Sequence, residues 1–265
     1  MNKYQRFQSL HRDNRPLLLP NAWDVISAKI LGQTDYPAIA TTSYGVANAH
    51  GYHDGEHISF DQFLNSRDIV KAVEVPISID VESGFAHSPK AIVENILKIA
   101  DTGAVRINIE DSLKEERALR PVQLQQEIIS GIRHSLDANG HRDFFINARI
   151  DTYIQGKGAF ETIARAKAYV ESGVNGVFVP CLHQADEIKQ IVKAIDAPLT
   201  VIALPNLTNL EHLTLLGVKR YSIGNALSDA VIAYTEKLAM EVRDSRNSAV
   251  LFEHAKVETI FGNNR

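Results

Sequence analysis

The sequence predicts a (β/α)8 TIM-type barrel, an α/β fold in which parallel strands alternate with helices. Eight short apolar runs recur along the chain, helical patterns separate them, and 265 residues is the length of one such barrel. Each connection is long enough to hold a helix, so neighbouring strands are expected to be parallel. We assign residues 1–265 to a single domain, with the barrel at about 15–228 and a C-terminal helical extension at about 229–265.

The predicted strands are the apolar runs at residues 17–20, 38–41, 77–80, 105–110, 144–149, 176–180, 199–203 and 220–224. Helical patterns cover residues 23–31, 61–73, 89–100, 122–136, 160–170, 185–195 and 209–216. Ser88 followed by Pro89 is typical of a helix start. An open doubly wound sheet is the alternative fold, but the first strand is not followed by a G-x-G-x-x-G turn.

Composition and charge argue against nucleic acid and membranes as binding partners. The net charge is −4, which provides no basic field for nucleic acid and no polybasic membrane patch. No apolar run approaches the ~20 residues of a membrane span, and the first residues lack the apolar core of a signal peptide. With Cys181 as the one cysteine, no internal disulfide is possible. We expect a cytoplasmic protein that binds a small molecule.

The extension is longer than one barrel helix needs. Its amphipathic pattern runs from residue 229 to residue 254. Two interpretations are open: the helix contacts another subunit, or it packs on its own chain.

Polar residues that follow strands mark the expected active site, because catalytic residues of barrels lie at the carboxyl ends of strands. The candidates are Thr42, Ser43 and Tyr44 after the second strand, Asp80 and Glu82 after the third, Glu110 and Asp111 after the fourth, Arg149 and Asp151 after the fifth, and Asp54 in a loop.

Carboxylates dominate this set, which suits a hard cation such as Mg²⁺ or Mn²⁺. Asp80 and Glu82 would face the same side if the strand continues through them. The histidines are not grouped for zinc, and no strand-end lysine is present for Schiff-base chemistry. Arg149 suits capture of a substrate carboxylate, and Thr42 and Ser43 could hold a second one. The set fits a small 2-oxo or 2-hydroxy acid whose enolate the metal stabilises as a bond to carbon or phosphorus breaks.

Simpler interpretations compete with each assignment. Asp80 could be a turn residue and Glu82 a solvated side chain, and Asp111 or Asp151 could cap a helix. Arg149 could be a structural partner of Glu110 or Asp151. Cys181 is interpreted as a small buried apolar residue rather than a nucleophile.

Five segments together resemble the isocitrate lyase and phosphoenolpyruvate mutase superfamily: residues 40–47 (ATTSYGVA), 80–85 (DVESGF), 107–112 (INIEDS), 146–149 (INAR) and 176–180 (GVFVP). The resemblance implies a barrel that forms homodimers or homotetramers by exchanging its last helix. It also implies Mg²⁺ with Asp80 as direct ligand and Asp54, Glu82 and Glu110 reaching the metal through water. By motif position, Thr42, Ser43 and Tyr44 would bind a substrate carboxylate, and Arg149 would grip the substrate.

Departures from the family pattern leave the reaction open. Residues 113–120 contain neither the cysteine and histidine of the lyases nor the lysine and Asn-Ser arrangement of the mutases. Cys181 stands where relatives carry Glu or His, and Arg106 where glycine is common. The match is closest to the phosphoenolpyruvate-mutase-like branch. Three functions follow: a Mg²⁺-dependent carbon–carbon lyase or decarboxylase, an enzyme of carbon–phosphorus bonds (mutase or hydrolase), or a non-catalytic binding protein that retains the metal site.

Overall fold

The structure is a computed structural model that describes residues 2–11, 13–114, 116 and 118–254. The strands of its main sheet are β1 (Leu17–Leu19), β2 (Asn21–Ala22), β3 (Ile39–Thr41), β4 (Ile77–Asp80), β5 (Arg106–Glu110), β8 (Phe145–Arg149), β9 (Gly176–Phe178), β10 (Leu199–Ile202) and β11 (Arg220–Ser222). This parallel sheet of nine strands has the order β1-β11-β10-β9-β8-β5-β4-β3-β2, and it curves into a nearly closed barrel. All eight predicted runs contain a strand, and the predicted barrel is confirmed.

The barrel closes at Pro20, which ends the first predicted run and separates β1 from β2, a two-residue strand that the prediction did not include. β1 pairs with β11 and β2 pairs with β3, so the two halves of one segment join the ends of the sheet. The amide of Asn21 spans this seam: its Oδ1 accepts from Gly224 N at 2.8 Å and its Nδ2 donates to Thr41 O at 2.9 Å. This closure excludes the open doubly wound sheet.

The predicted helices are present, with one of them interrupted. They are α2 (Val25–Gly32), α4 (Phe60–Phe63), α5 (Arg67–Lys71), α6 (Pro89–Ala100), α7 (Val122–Ala138), α8 (Gly158–Glu171), α9 (Ala185–Ala194) and α10 (Leu210–Leu215). A 3-10 turn, Leu64–Ser66, breaks the predicted segment 61–73 between α4 and α5. Ser88 caps α6 by accepting from Ala91 N, as predicted. The pattern missed α1 (Lys3–Ser9), α3 (Ser43–Ala49) and a hairpin of β6 (Ser112–Leu113) with β7 (Ala118–Leu119).

One end of the barrel is covered by α1. Phe7, fully buried, packs edge-on against Phe145 with ring centroids 5.7 Å apart, and His11 stacks on the same ring at 4.8 Å. Farther along the interior, the buried Arg106 donates to Ser78 Oγ at 2.8 Å and to Asn108 Oδ1 at 2.6 Å. This polar layer separates the α1 end from the acidic strand ends.

The long last helix, α11 (Ala226–Ser245), begins slightly before the predicted boundary at residue 229. Ser228 is its one buried residue, and its large apolar side chains Val231, Ile232, Tyr234 and Met240 are exposed. Within the described residues the helix packs on its own chain only in part, through Leu227 and the 3-10 turn Ala249–Phe252. The end of the predicted extension, residues 255–265, lies outside the described residues. No described helix is long and apolar enough to cross a membrane.

Candidate active site

The carboxyl ends of three strands bring the main candidates to one mouth of the barrel. Asp80 is the last residue of β4, Glu110 the last of β5 and Arg149 the last of β8. In the sheet register Glu110 lies opposite Arg149, and Asp80 lies opposite Asn108. The backbone alone thus places two acidic residues and one arginine at the ends of three adjacent strands.

Glu82 reaches this mouth through a turn rather than by strand alternation. The strand ends at Asp80, and Glu82 has a φ of 47°, so the extended continuation considered above does not occur. Its carbonyl accepts from Glu110 N at 2.8 Å, and its side chain is 1% exposed. Glu82 is therefore not the solvated side chain of the simpler interpretation.

Glu56, which sequence reasoning missed, holds that turn in place. Its Oε1 accepts from Ser83 N at 2.8 Å, Ser83 Oγ at 2.7 Å and Phe85 N at 2.9 Å. Gly84 between them has a φ of 109°, a conformation open to glycine. No spacing in the sequence marks Glu56, because its partners, two backbone N–H groups and one hydroxyl, are more than 25 residues away along the chain.

Three carboxylates lie close together at the mouth, with Glu82 and Glu110 buried and Asp80 half-buried. Burial raises the pKa of Asp80, the pKa of Glu82 to about 7 and the pKa of Glu110 to about 8. The charge of the exposed Asp54 adds to the rise at Asp80 and Glu82, whereas Lys114 opposes it. Asp80 Oδ2 accepts from Ser43 Oγ at 3.2 Å, and its Oδ1 is buried without a hydrogen-bond partner. Such groups favour a cation between them.

Lys114 supplies positive charge at this point, and it was not among the predicted site residues. Its Nζ lies 3.0 Å from Glu82 Oε2 and also contacts Glu110 Oε1. Burial alone would lower the pKa of Lys114, but the charges of Glu110 and Glu82 outweigh burial and raise it. The available signal was the i,i+4 spacing from Glu110 to Lys114.

Arg149 is tied to both neighbouring acids. Its Nη1 lies 2.9 Å from Glu110 Oε2, and its Nε and Nη2 donate to Asp151 at 2.6 and 3.1 Å. The structural interpretation of Arg149 is thus correct in its contacts, while 18% of its side chain remains exposed toward the mouth. The two acids thus hold the guanidinium in one orientation.

The helix-cap interpretation of Asp111 and Asp151 is wrong. Asp111 Oδ1 accepts from Asp151 N at 3.0 Å, and its Oδ2 accepts from Tyr169 OH at 2.8 Å and Arg165 Nη1 at 3.1 Å. Asp151 binds Arg149 and Ser112 Oγ. Asp111 thus connects the end of β5 to α8, and Asp151 connects Arg149 at the end of β8 to Ser112 of β6.

The second predicted strand leads directly into α3, whose first turn carries the three hydroxyl candidates. Thr42 is the N-cap and accepts from Gly45 N at 3.4 Å. Ser43 is buried beside Asp80, and Tyr44 is 38% exposed. The first N–H groups of a helix have no partner within it, which suits a substrate carboxylate. Gly45 permits the close approach of this turn to Trp23, because a Cβ there would lie 2.7 Å from Trp23 Cβ.

Cys181 differs from the expectation of a small buried residue. It is exposed and has a φ of 62°. Partial burial raises the pKa of its thiol, so nucleophilic use is not favoured.

The residue types at the mouth fit Mg²⁺ or Mn²⁺. Asp80, Glu82 and Glu110 provide only oxygen, the donor that these ions prefer. The unpartnered Asp80 Oδ1 is the group that a cation would satisfy. As they stand, no three His, Cys, Asp or Glu side chains of the described chain form a ready-made metal site. Lys114 lies between two of the predicted ligands.

A cavity of about 390 Å³ adjoins the cluster. Its lining includes Lys114, Ser83, Glu56, Glu116, Phe85 and Arg120. The buried Arg120 donates to Ser83 O at 3.3 Å, which joins the end of segment 113–120 to the turn after β4. The cavity has both charged and apolar walls.

Comparison with known proteins places the chain in a family. Residues 7–243 match the family model described as phosphoenolpyruvate phosphomutase. An uncharacterized protein of Mycobacterium tuberculosis is 32% identical over 90% of this chain and 89% of its own length. The 2,3-dimethylmalate lyase of Eubacterium barkeri is 25% identical over 74% of this chain and 69% of its own.

The solved structures agree on the fold. A phosphonopyruvate hydrolase, in complex with oxalate and Mg²⁺, superimposes with a TM-score of 0.87 at 23% identity, covering 98% of this chain and 94% of that one. From these matches and the strand-end motifs, we conclude that the chain belongs to the phosphoenolpyruvate mutase/isocitrate lyase superfamily.

Proposed function

We propose that this protein is a Mg²⁺-dependent lyase that cleaves a carbon–carbon bond in, or decarboxylates, a small 2-oxo or 2-hydroxy dicarboxylic acid through an enolate. Mn²⁺ is the alternative cation. The observation that carries the proposal is the convergence of half-buried Asp80 and buried Glu82 and Glu110 with an oriented Arg149 at one barrel mouth. The proposal includes a cytoplasmic homodimer or homotetramer.

Each residue has a role in this chemistry. Asp80, Glu82, Glu110 and Asp54 would hold the cation, whose charge stabilises the enolate when it is bound. Arg149 would orient a carboxylate through charge-assisted hydrogen bonds, with Glu110 fixing its guanidinium.

The first turn of α3 would take the substrate's other end. Its N–H groups at Ser43 and Tyr44, with the hydroxyls of Thr42 and Ser43, can bind a carboxylate or an enolate oxygen. No general acid is assigned to the leaving group. For a 2-oxo dicarboxylic acid a decarboxylation suits this arrangement, because the electron pair of the broken bond passes into the carbonyl to form the enolate as CO₂ leaves, and water can supply the later proton.

Chemistry at a carbon–phosphorus bond is the second candidate. The lack of the mutases' lysine and Asn-Ser arrangement in residues 113–120 counts against it. Lys114, in that same segment, contacts the carboxylates of Glu82 and Glu110, so a lysine does reach the site although the Asn-Ser pair is absent. The third candidate is a non-catalytic protein that binds the same metal and acid.

A substrate panel separates the three. Pyruvate release would be measured from oxaloacetate, methylmalate-type acids and phosphonopyruvate, with and without Mg²⁺. Turnover of a carbon acid supports the lyase, and turnover of phosphonopyruvate supports the second candidate. Oxalate, which mimics the pyruvate enolate, is the binding probe. If no substrate turns over and Asp80→Ala leaves Mg²⁺ and oxalate binding unchanged, the active-site assignment is wrong.

A further inference from the structure

The Lys114 ammonium lies where the proposed metal site needs positive charge. It contacts Glu82 and Glu110, whose side chains are each 1% exposed, and its own side chain is 21% exposed. A buried carboxylate without a counter-charge is costly, so this ammonium offsets repulsion among the acids. Lys114 is not itself on a strand: it follows β6 in the segment that joins β6 to β7.

We infer that Lys114 is an exchangeable counter-ion of the metal site: its ammonium neutralises Glu82 and Glu110 until a divalent cation takes its place. The inference rests on the proposed metal-dependent function. It assigns to Lys114 a positioning role, namely holding the two carboxylates together in the metal-free protein.

Lys114 and a divalent cation compete for the same oxygens. Mg²⁺ binds oxygen at about 2.1 Å, and an ammonium at about 3 Å from those oxygens would lie within strong repulsion of the ion. One of the two must leave. Arg149 is the less mobile base, because Asp151 holds its Nε and Nη2. Lys114 is a point charge on a flexible four-carbon stem, and its ion pairs within the described residues are those with the two glutamates.

The cavity beside the carboxylates can accommodate the Lys114 ammonium after a cation displaces it. Lys114 lines the adjoining cavity of about 390 Å³. The same walls carry the carboxylates of Glu56 and Glu116, which can receive it, and the cavity opens to solvent, where an ammonium is well hydrated. The exchange therefore moves positive charge from the carboxylates into the space beside the substrate.

Manganese binding tests the competition directly. Mn²⁺ would be titrated into the metal-free wild type, Lys114→Met and the matched control Lys90→Met, and free Mn²⁺ read from its electron paramagnetic resonance signal. Lys90 is an exposed lysine of α6, paired only loosely with Glu94 at 4.0 Å. We expect Lys114→Met to bind Mn²⁺ about tenfold more tightly than the wild type, since it loses the competitor. Lys90→Met should match the wild type.

A second measurement follows Lys114 in the unaltered protein. Acetylation of lysines by a succinimidyl ester, quantified by mass spectrometry, should be slow at Lys114 without metal and several-fold faster with Mg²⁺. An affinity of Lys114→Met equal to or weaker than that of a wild type that binds Mn²⁺ overturns the inference, as does unchanged acetylation at saturating Mg²⁺. If neither protein binds Mn²⁺, the proposed metal-dependent function fails as well.

Discussion

Arg149 and Glu110, opposite each other on neighbouring strands, form an ion pair of 2.9 Å that leaves the guanidinium oriented toward the barrel mouth. Asp151 accepts from the other edge of the same guanidinium. An arginine clamped in this way loses little conformational freedom when it binds a carboxylate.

Arg149→Lys should weaken oxalate binding in the presence of Mg²⁺ by about tenfold to a hundredfold, because a lysine keeps the charge but loses the planar fork. Isothermal titration calorimetry with oxalate measures the effect. The control is Arg67→Lys, at an exposed arginine far less constrained by its 3.9 Å contact to Asp68. Unchanged oxalate affinity in Arg149→Lys would remove Arg149 from the substrate site.

Metal affinity should rise with pH. Burial raises the pKa of Glu82 to about 7 and that of Glu110 to about 8, and a divalent cation binds the ionised forms. We expect the dissociation constant for Mn²⁺ to fall by about tenfold to a hundredfold from pH ~6 to pH ~8 and to level off near pH ~9.

The same carboxylates make metal-free stability depend on pH with a defined sign. Unfolded glutamates ionise near pH ~4.3, so a raised folded-state pKa means stability that is full below that pH and is lost as pH rises through about 7 to 8. The gain in Tm on adding Mg²⁺ should therefore be larger at pH ~8.5 than at pH ~6. A dissociation constant for Mn²⁺ that does not change between pH ~6 and pH ~8 would contradict the assignment of Glu82 and Glu110 as ligands.

Strand-end residues were predictable because their positions follow from chain order alone. Apolar runs and helix-length spacers determine a barrel, and the barrel determines that Asp80, Glu110 and Arg149 share a mouth. Glu56 was not predicted, because it reaches the site from a loop through contacts that no periodicity encodes. The i,i+4 spacing of Glu110 and Lys114 indicates a contact only on a helix, whereas Lys114 follows β6 in a turn. The helix α3 was missed since its seven residues, Ser43–Ala49, follow β3 almost without a spacer.

His11 should make the protein sensitive to acid. Burial, and then the charge of Arg220, lowers the pKa of His11 to about 3. A histidine with a depressed folded-state pKa is protonated first in the unfolded chain, so its stabilising contribution is lost as pH falls below about 6.5. His11→Phe keeps a ring against Phe145 and removes the titration.

The loss of Tm between pH ~7 and pH ~5 should shrink in His11→Phe by a few degrees, corresponding to about 2 kcal/mol at the lower pH. Thermal unfolding followed by circular dichroism at several pH values checks this. His183→Gln, at an exposed histidine, should retain the wild-type pH profile. An identical acid sensitivity in His11→Phe would show that other groups cause it.

Gly84→Ala should destabilise the protein and disturb the metal site together. Gly84 has a φ of 109°, and a Cβ there would lie 2.6 Å from Ile92 Cγ2. We expect a loss of about 2–4 kcal/mol in urea unfolding and weaker Mn²⁺ binding, because the turn carrying Glu82 must shift.

Gly51→Ala is the matched control for Gly84→Ala. Gly51 also has a positive φ, 81°, but nothing lies within 4 Å of the position that a Cβ would take there, so only the backbone cost of about 1 kcal/mol applies. Adding Ile92→Ala, which removes both Cγ atoms that the new Cβ would meet, to Gly84→Ala should recover part of the lost metal affinity. Equal effects of the two alanine substitutions would mean that contact with Ile92 does not control the turn.

The exposed apolar side chains of α11 predict that this helix is covered by a second copy of the chain. Of the helix Ala226–Ser245, Ser228 alone is buried, while Ile232 and Tyr234 are each 54% exposed. Ile232→Glu should place a charge in that interface and lower the oligomer mass measured by light scattering after size exclusion. Lys237→Glu introduces the same acidic side chain at a polar position of α11 and should leave the mass unchanged. A wild type that is monomeric at micromolar concentration would show that the exposed side chains of α11 do not mediate self-association.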